Sequence, residues 1–191
     1  MPSPDTRTAP DAQPEDRKRR GRRAKIRTAL TINGLAVAVT LAVMALLRGV
    51  FAAPAGVSGI DGRLAYGAPL LAWPALILLL MVFGVMAARG RSVALNPIDD
   101  PESRGIRVAQ RVLSNTVEQT AVFVPAFLAL TVTIPLPSLP MLPVLMLLFM
   151  VGRVLFWAGY LIHPFARAPG MAATLTTGIV TTVWAVAGAL G

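Results

Sequence analysis

Cysteine is absent from the 191 residues, and histidine occurs once. The first absence excludes disulfides, thiolate metal sites and a cysteine nucleophile; the second, without a His/Asp/Glu cluster, argues against a metal centre. Any thiol chemistry must use a sulfur that arrives with a substrate. Charge is scarce as well. Only 14% of residues are charged, against about 25% in ordinary soluble domains, while 55% are hydrophobic. Mean hydropathy is +0.65. This is the composition of an integral membrane protein.

The charge that exists is unevenly placed. The net charge is +9, and half of the 18 basic residues lie in positions 1–27, mostly between Arg17 and Arg27. Residues 1–27 are expected to form a disordered basic tail that stays in the cytoplasm and touches anionic lipid. Nucleic-acid binding is the lesser reading of such a run.

Gaps between charges mark the spans. Thr28 to Leu47 is uncharged, long enough to cross about 30 Å of hydrocarbon, and 28–51 is expected as a retained first transmembrane helix. It is long for a signal peptide, and Arg48 interrupts it before any cleavage site. A second span is expected within 64–88, followed by a polar loop from Arg89 to Arg104 containing Asn96-Pro97-Ile98-Asp99-Asp100-Pro101. The third helix should begin near Glu102–Arg107 and run to about Thr133, with Pro125 inside it. After the proline-rich turn Ile134–Pro140, a fourth helix is expected from Met141 to His163, and a fifth from Gly170 to Leu190. Arg89, Arg91, Arg104 and Arg167 then fall on the side of the N-terminal tail, which the positive-inside bias makes cytoplasmic.

Polar residues recur on two of these helices. Arg107, Arg111, Asn115 and Glu118 fall within an arc of roughly 80° at 100° per residue. After Glu118 no charge occurs until Arg153. Charged side chains at membrane depth are costly and usually functional. On the fourth helix Arg153, Phe156 and Tyr160 share an arc of roughly 60°, and Arg167 follows across a turn. Two such stripes facing one another would form a pocket for a small zwitterion with more negative than positive groups. Trp157 and Tyr160 also fit the interfacial aromatic belt, and His163 fits a helix-end residue without chemistry.

The pattern Arg111-x3-Asn115-x2-Glu118-Gln119, then Gly152-Arg153-x2-Phe156-x2-Gly159-Tyr160 and Arg167, resembles the MAPEG family, membrane-associated proteins in eicosanoid and glutathione metabolism. The likeness covers about 66–191. It implies an all-α four-helix membrane core over 64–191, here with one additional N-terminal helix, assembled as a homotrimer with glutathione between subunits near the cytoplasmic face. By the same resemblance Arg111, Asn115, Glu118, Arg153 and Tyr160 would bind glutathione as co-substrate, and Arg167 would face its sulfur as the catalytic group. No metal is implied. Phe156 stands where many members have tyrosine, which removes a hydroxyl, and Gln119 replaces an aromatic found in some members.

The activity implied is a glutathione-dependent transferase or peroxidase acting on hydrophobic electrophiles or lipid hydroperoxides drawn from the bilayer. Two other readings fit the residues: a non-catalytic member binding lipid or a partner, its charges forming a structural ion-pair network, and a small transporter. No nucleic-acid partner is expected.

Overall fold

A computed structural model describes residues 14–52, 54–92, 101–162 and 166–191. His163, residues 1–13 of the expected tail and the Asn96–Pro97 segment of the polar loop lie outside them. All regular structure among the described residues is helical: α1 (Pro14–Leu47), α2 (Ile60–Gly67), α3 (Ala72–Gly90), α4 (Arg104–Thr133), α5 (Met141–Ile162) and α6 (Ala168–Leu190). A 3₁₀ turn, Ala68–Leu71, joins α2 to α3 and carries Pro69 at its start, so Ile60–Gly90 acts as one span. With α1, α4, α5 and α6 this makes five helices long and apolar enough to cross a membrane, as the charge gaps predict.

One boundary differs from expectation. Residues 14–27, expected in a disordered tail, continue α1 as helix. Once a transmembrane helix is nucleated, each further residue adds a hydrogen bond at little cost, and the Arg, Lys and Ala of this stretch are good helix formers. The membrane span itself is Ile26–Leu47.

Local chemistry sets the ends of α4. Ser103 is its N-cap, its hydroxyl accepting from the Ile106 amide at 3.3 Å. At the other end Ile134 is extended (φ −61°, ψ 137°), as the residue before Pro135 must be. Arg63 of α2 donates to the Val132 carbonyl at 2.8 Å and to that of Ile134, so a cation meets the negative end of the α4 dipole.

The central helix is α5, whose buried face runs from Met141 through Phe149, Gly152 and Arg153 to Gly159. It packs most closely on α6, while α4 crosses α6 and α3, and α1 lies against α6 and α5. Phe123 of α4 stacks on Phe149 of α5 at 4.1 Å between ring centroids, in the main apolar cluster. A second cluster, Ile77, Met81, Val112 and Phe156, backs the polar end of the bundle.

Glycine makes the α5–α6 contact possible. A Cβ at Gly170 would collide with the backbone nitrogen of Phe156, and one at Gly152 with the hydroxyl of Thr174. The two helices therefore touch backbone to backbone beside Arg153 and Phe156.

Candidate functional site

α4 runs about 45 Å at 1.5 Å per residue, longer than the hydrocarbon thickness of about 30 Å. Glu118 lies 15 residues, about 22 Å, from its Thr133 end. With the Thr133 end at one membrane face, that distance falls within the hydrocarbon thickness, where a carboxylate needs a built polar environment.

Such an environment exists at the loop end of the bundle. A cavity of about 730 Å³ between α1, α4, α5 and the start of α6 is lined by Arg111, Asn115 and Glu118, by Phe156 and Tyr160, by Arg167 and Met171, and by Gln110, Ser114 and Asn33. Both stripes expected from the sequence thus meet across one space. Among the described residues Glu118 and Arg111 have no ion-pair partner, and both are exposed on the cavity side of α4. The only ion pair among the described side chains, Arg89–Glu102 at 3.8 Å, lies elsewhere. A structural network joining Arg111 and Glu118 through Arg153 is therefore not what the chain builds.

Arg153 is wholly buried and does not line the cavity; it stands behind the wall. Its Nε donates to Thr174 Oγ1 at 3.0 Å, its Nη1 to Asn115 Oδ1 at 2.9 Å, and its Nη2 approaches Met171 Sδ at 3.8 Å. Its Cζ sits 4.6 Å from the Phe156 ring centroid. A buried guanidinium held by neutral acceptors and a π face is unusual, because burial of charge is costly without compensation. Its geometric effect is clear. By occupying the Asn115 oxygen it leaves the Asn115 amide NH₂ free to donate into the cavity that residue lines.

Arg153 begins a stacked series that ends in the cavity. Phe156 meets Tyr160 edge to face at 5.3 Å and 79°. Arg167 lies over the Tyr160 ring at 4.5 Å and donates to its hydroxyl. Since the Tyr160 oxygen accepts from Arg167, its own O–H is available to a ligand. Arg167 reaches Tyr160 because Ala166 and the Arg167 backbone pack tightly against Gly159, where a Cβ would strike the Ala166 carbonyl.

Two further cavities share Tyr160. One of about 250 Å³ gathers Arg104, Arg107, Arg111 and Arg167, four cations without an acid. Arg107, the first residue of the α4 stripe, faces this space and not the larger polar one. The other, about 930 Å³, lies between α3, α4 and α5 and is mainly apolar, lined by Met81, Val108, Val112, Trp157 and Leu161, with Arg91 and Arg104 at its edge. Tyr160 is the partition between an apolar compartment and a charged one.

Three features were not foreseen from the sequence. The shared arc brings Arg153 beside Phe156, but its enclosure by Asn115 and Thr174 of neighbouring helices leaves no local signal. Gln110 and Ser114 flank Arg111 and line the same cavity. Asn33, on the additional helix, carries no motif at all. Among the described residues no group of acidic or histidine side chains is arranged to hold a metal.

Compared with known families, residues 66–187, more than half of the chain, match the sequence profile of the MAPEG family. No curated protein and no solved structure matches the chain.

Proposed function

Because the chain belongs to the MAPEG family, whose members serve glutathione and eicosanoid metabolism in membranes, we propose that it is a glutathione-dependent transferase or peroxidase. The observation that carries this reading is the convergence of Arg111, Asn115, Glu118, Tyr160 and Arg167 on one cavity. Glutathione has two carboxylates, one ammonium, two peptide groups and a thiol. The cavity offers two guanidiniums, one unpaired carboxylate, several carboxamides and a phenol. Its volume lies in the range of about 300–1,000 Å³ common for small-molecule sites.

Each residue then has a task. Arg111 pairs with a carboxylate, where a guanidinium can bind bidentately. Glu118 holds the ammonium. Asn115, oriented by Arg153, donates to a peptide carbonyl or carboxylate. Arg167 and the Tyr160 hydroxyl face the sulfur. A cation and a hydrogen-bond donor both favour the thiolate, lowering a pKa that starts near 8.5 for an unperturbed cysteine thiol.

The thiolate is the nucleophile. Towards an electrophilic carbon it forms the C–S bond, and the displaced electron pair leaves on the acceptor's oxygen or halide. Towards a hydroperoxide it attacks the distal oxygen and breaks the O–O bond, giving an alcohol and a sulfenic acid; a second glutathione then yields the disulfide and water. The apolar cavity across Tyr160 gives a lipophilic acceptor a route from the bilayer to the sulfur.

The subunit is proposed to assemble as a homotrimer, with its N-terminal extension and the loop end of the bundle in the cytoplasm. Supporting assembly, Glu118 is exposed in the single chain at a depth where lipid is a poor neighbour, so a second subunit beside it lowers its cost. Equilibrium binding of glutathione to the purified protein in detergent tests the reading. Micromolar to millimolar binding that is lost in Arg111→Ala and Glu118→Ala is expected. Absence of binding by intact, assembled protein would favour a non-catalytic member of the fold.

A further inference from the structure

We propose that the additional helix α1 is a wall of the polar cavity and that Asn33 is a ligand contact, recognising the peptide amide or carboxylate of the bound thiol. The identity of that ligand rests on the function proposed above; the placement of α1 does not.

The argument begins with what α1 contains. From Thr28 to Leu47 its polar side chains are threonines and one asparagine. Thr31 and Thr40 return their hydroxyls to the carbonyls of Arg27 and Ala36, at 3.0 and 2.7 Å. Hydroxyls satisfied in this way are cheap in a membrane helix. Asn33 has no such partner among the described residues, yet it is half-buried and borders the cavity with Arg111, Glu118 and Arg167. A carboxamide without a partner at membrane depth is costly, so its position facing the charged cavity and not lipid is informative.

Depth agrees. Asn33 is seven residues, about 10 Å, along the span from Ile26. Asn115 stands 11 residues, about 16 Å, from the Arg104 end of α4 and Met171 three residues, about 4 Å, from the start of α6, so Asn33 falls between them. The helix is held there by packing on α6 and α5 rather than by its connection to α2. Asn33 supplies both a donor and an acceptor, which neither the arginines nor Glu118 do. It therefore suits a peptide group, whose N–H and C=O need one of each.

The chain contains no cysteine, so a single introduced thiol reports accessibility directly. Asn33→Cys and, as a lipid-facing control, Leu35→Cys (65% exposed on another side of α1) are reconstituted in liposomes and treated with a charged thiosulfonate. Because a charged reagent is strongly disfavoured in hydrocarbon, Asn33→Cys should react about tenfold faster or more. S-Methylglutathione, which has no thiol to consume the reagent, should slow that reaction. In parallel, Asn33→Leu should weaken glutathione binding about fivefold, the size of one lost hydrogen bond, with assembly and helicity unchanged. Thr31→Val should bind normally. Equal labelling of the two thiols overturns the wall, and unchanged affinity in Asn33→Leu overturns the contact. If the wild-type protein binds no glutathione, the thiol reading falls, and the labelling ratio still decides whether α1 lines the cavity.

Discussion

Asn115 has two neighbours with opposite demands, a buried guanidinium behind it and an open cavity in front. Removing its side chain in Asn115→Ala leaves a buried Arg153 N–H without an acceptor, a loss of about 1–3 kcal/mol. Chemical unfolding in detergent should show that loss, and glutathione affinity should fall with it. A variant that binds poorly at full stability would mean that Arg153 does not depend on this bond. The stripe on α4 was legible from sequence because spacings of three and four residues fix a helix face without reference to anything else. The role of Arg153 was not. It was expected to meet ligand with Tyr160, its neighbour on the same arc, but α6 approaches so closely over Gly170 that the guanidinium is enclosed and turned towards Asn115 and Thr174.

Among the elements, the α5–α6 pair sets the site's precision. Gly170→Ala forces the helices apart where the Phe156 backbone allows no room, an overpacking cost of about 1–3 kcal/mol. Gly178, on the same helix, has no neighbouring atom within 4 Å of an added Cβ. Gly178→Ala should therefore be neutral or stabilising by up to about 1 kcal/mol through helix propensity. Thermal unfolding of the two variants side by side checks the contrast, and equal destabilisation would contradict it. Spans were legible because long charge-free runs leave the backbone one way to satisfy itself in lipid. The helical extension at 14–27 was hidden, because a charged, Pro-flanked stretch has the composition of a tail and gains its helicity from the span it continues.

For the whole molecule, a family core of four spans and one appended helix close a polar chamber at one end. The chamber's existence was legible from the two stripes, since connected antiparallel helices set the start of α4 beside the end of α5. The wall formed by α1 was not, because where an added helix docks is decided by tertiary packing. As an assembly, the protein should cross-link in liposomes to a trimer; a monomer at all protein densities would contradict the proposed arrangement. On the proposed reading this chamber binds glutathione and ionises its thiol. That reading is tested most directly by titrating the ultraviolet thiolate absorbance of glutathione against pH, with and without the purified protein. A thiol pKa depressed below its free value of about 8.5 by a unit or more is expected, worth about 1.4 kcal/mol per unit, so that thiolate persists to lower pH when bound. Arg167→Ala should return the midpoint towards the free value while Arg111→Ala removes binding. A midpoint identical for free and saturated glutathione would contradict the account.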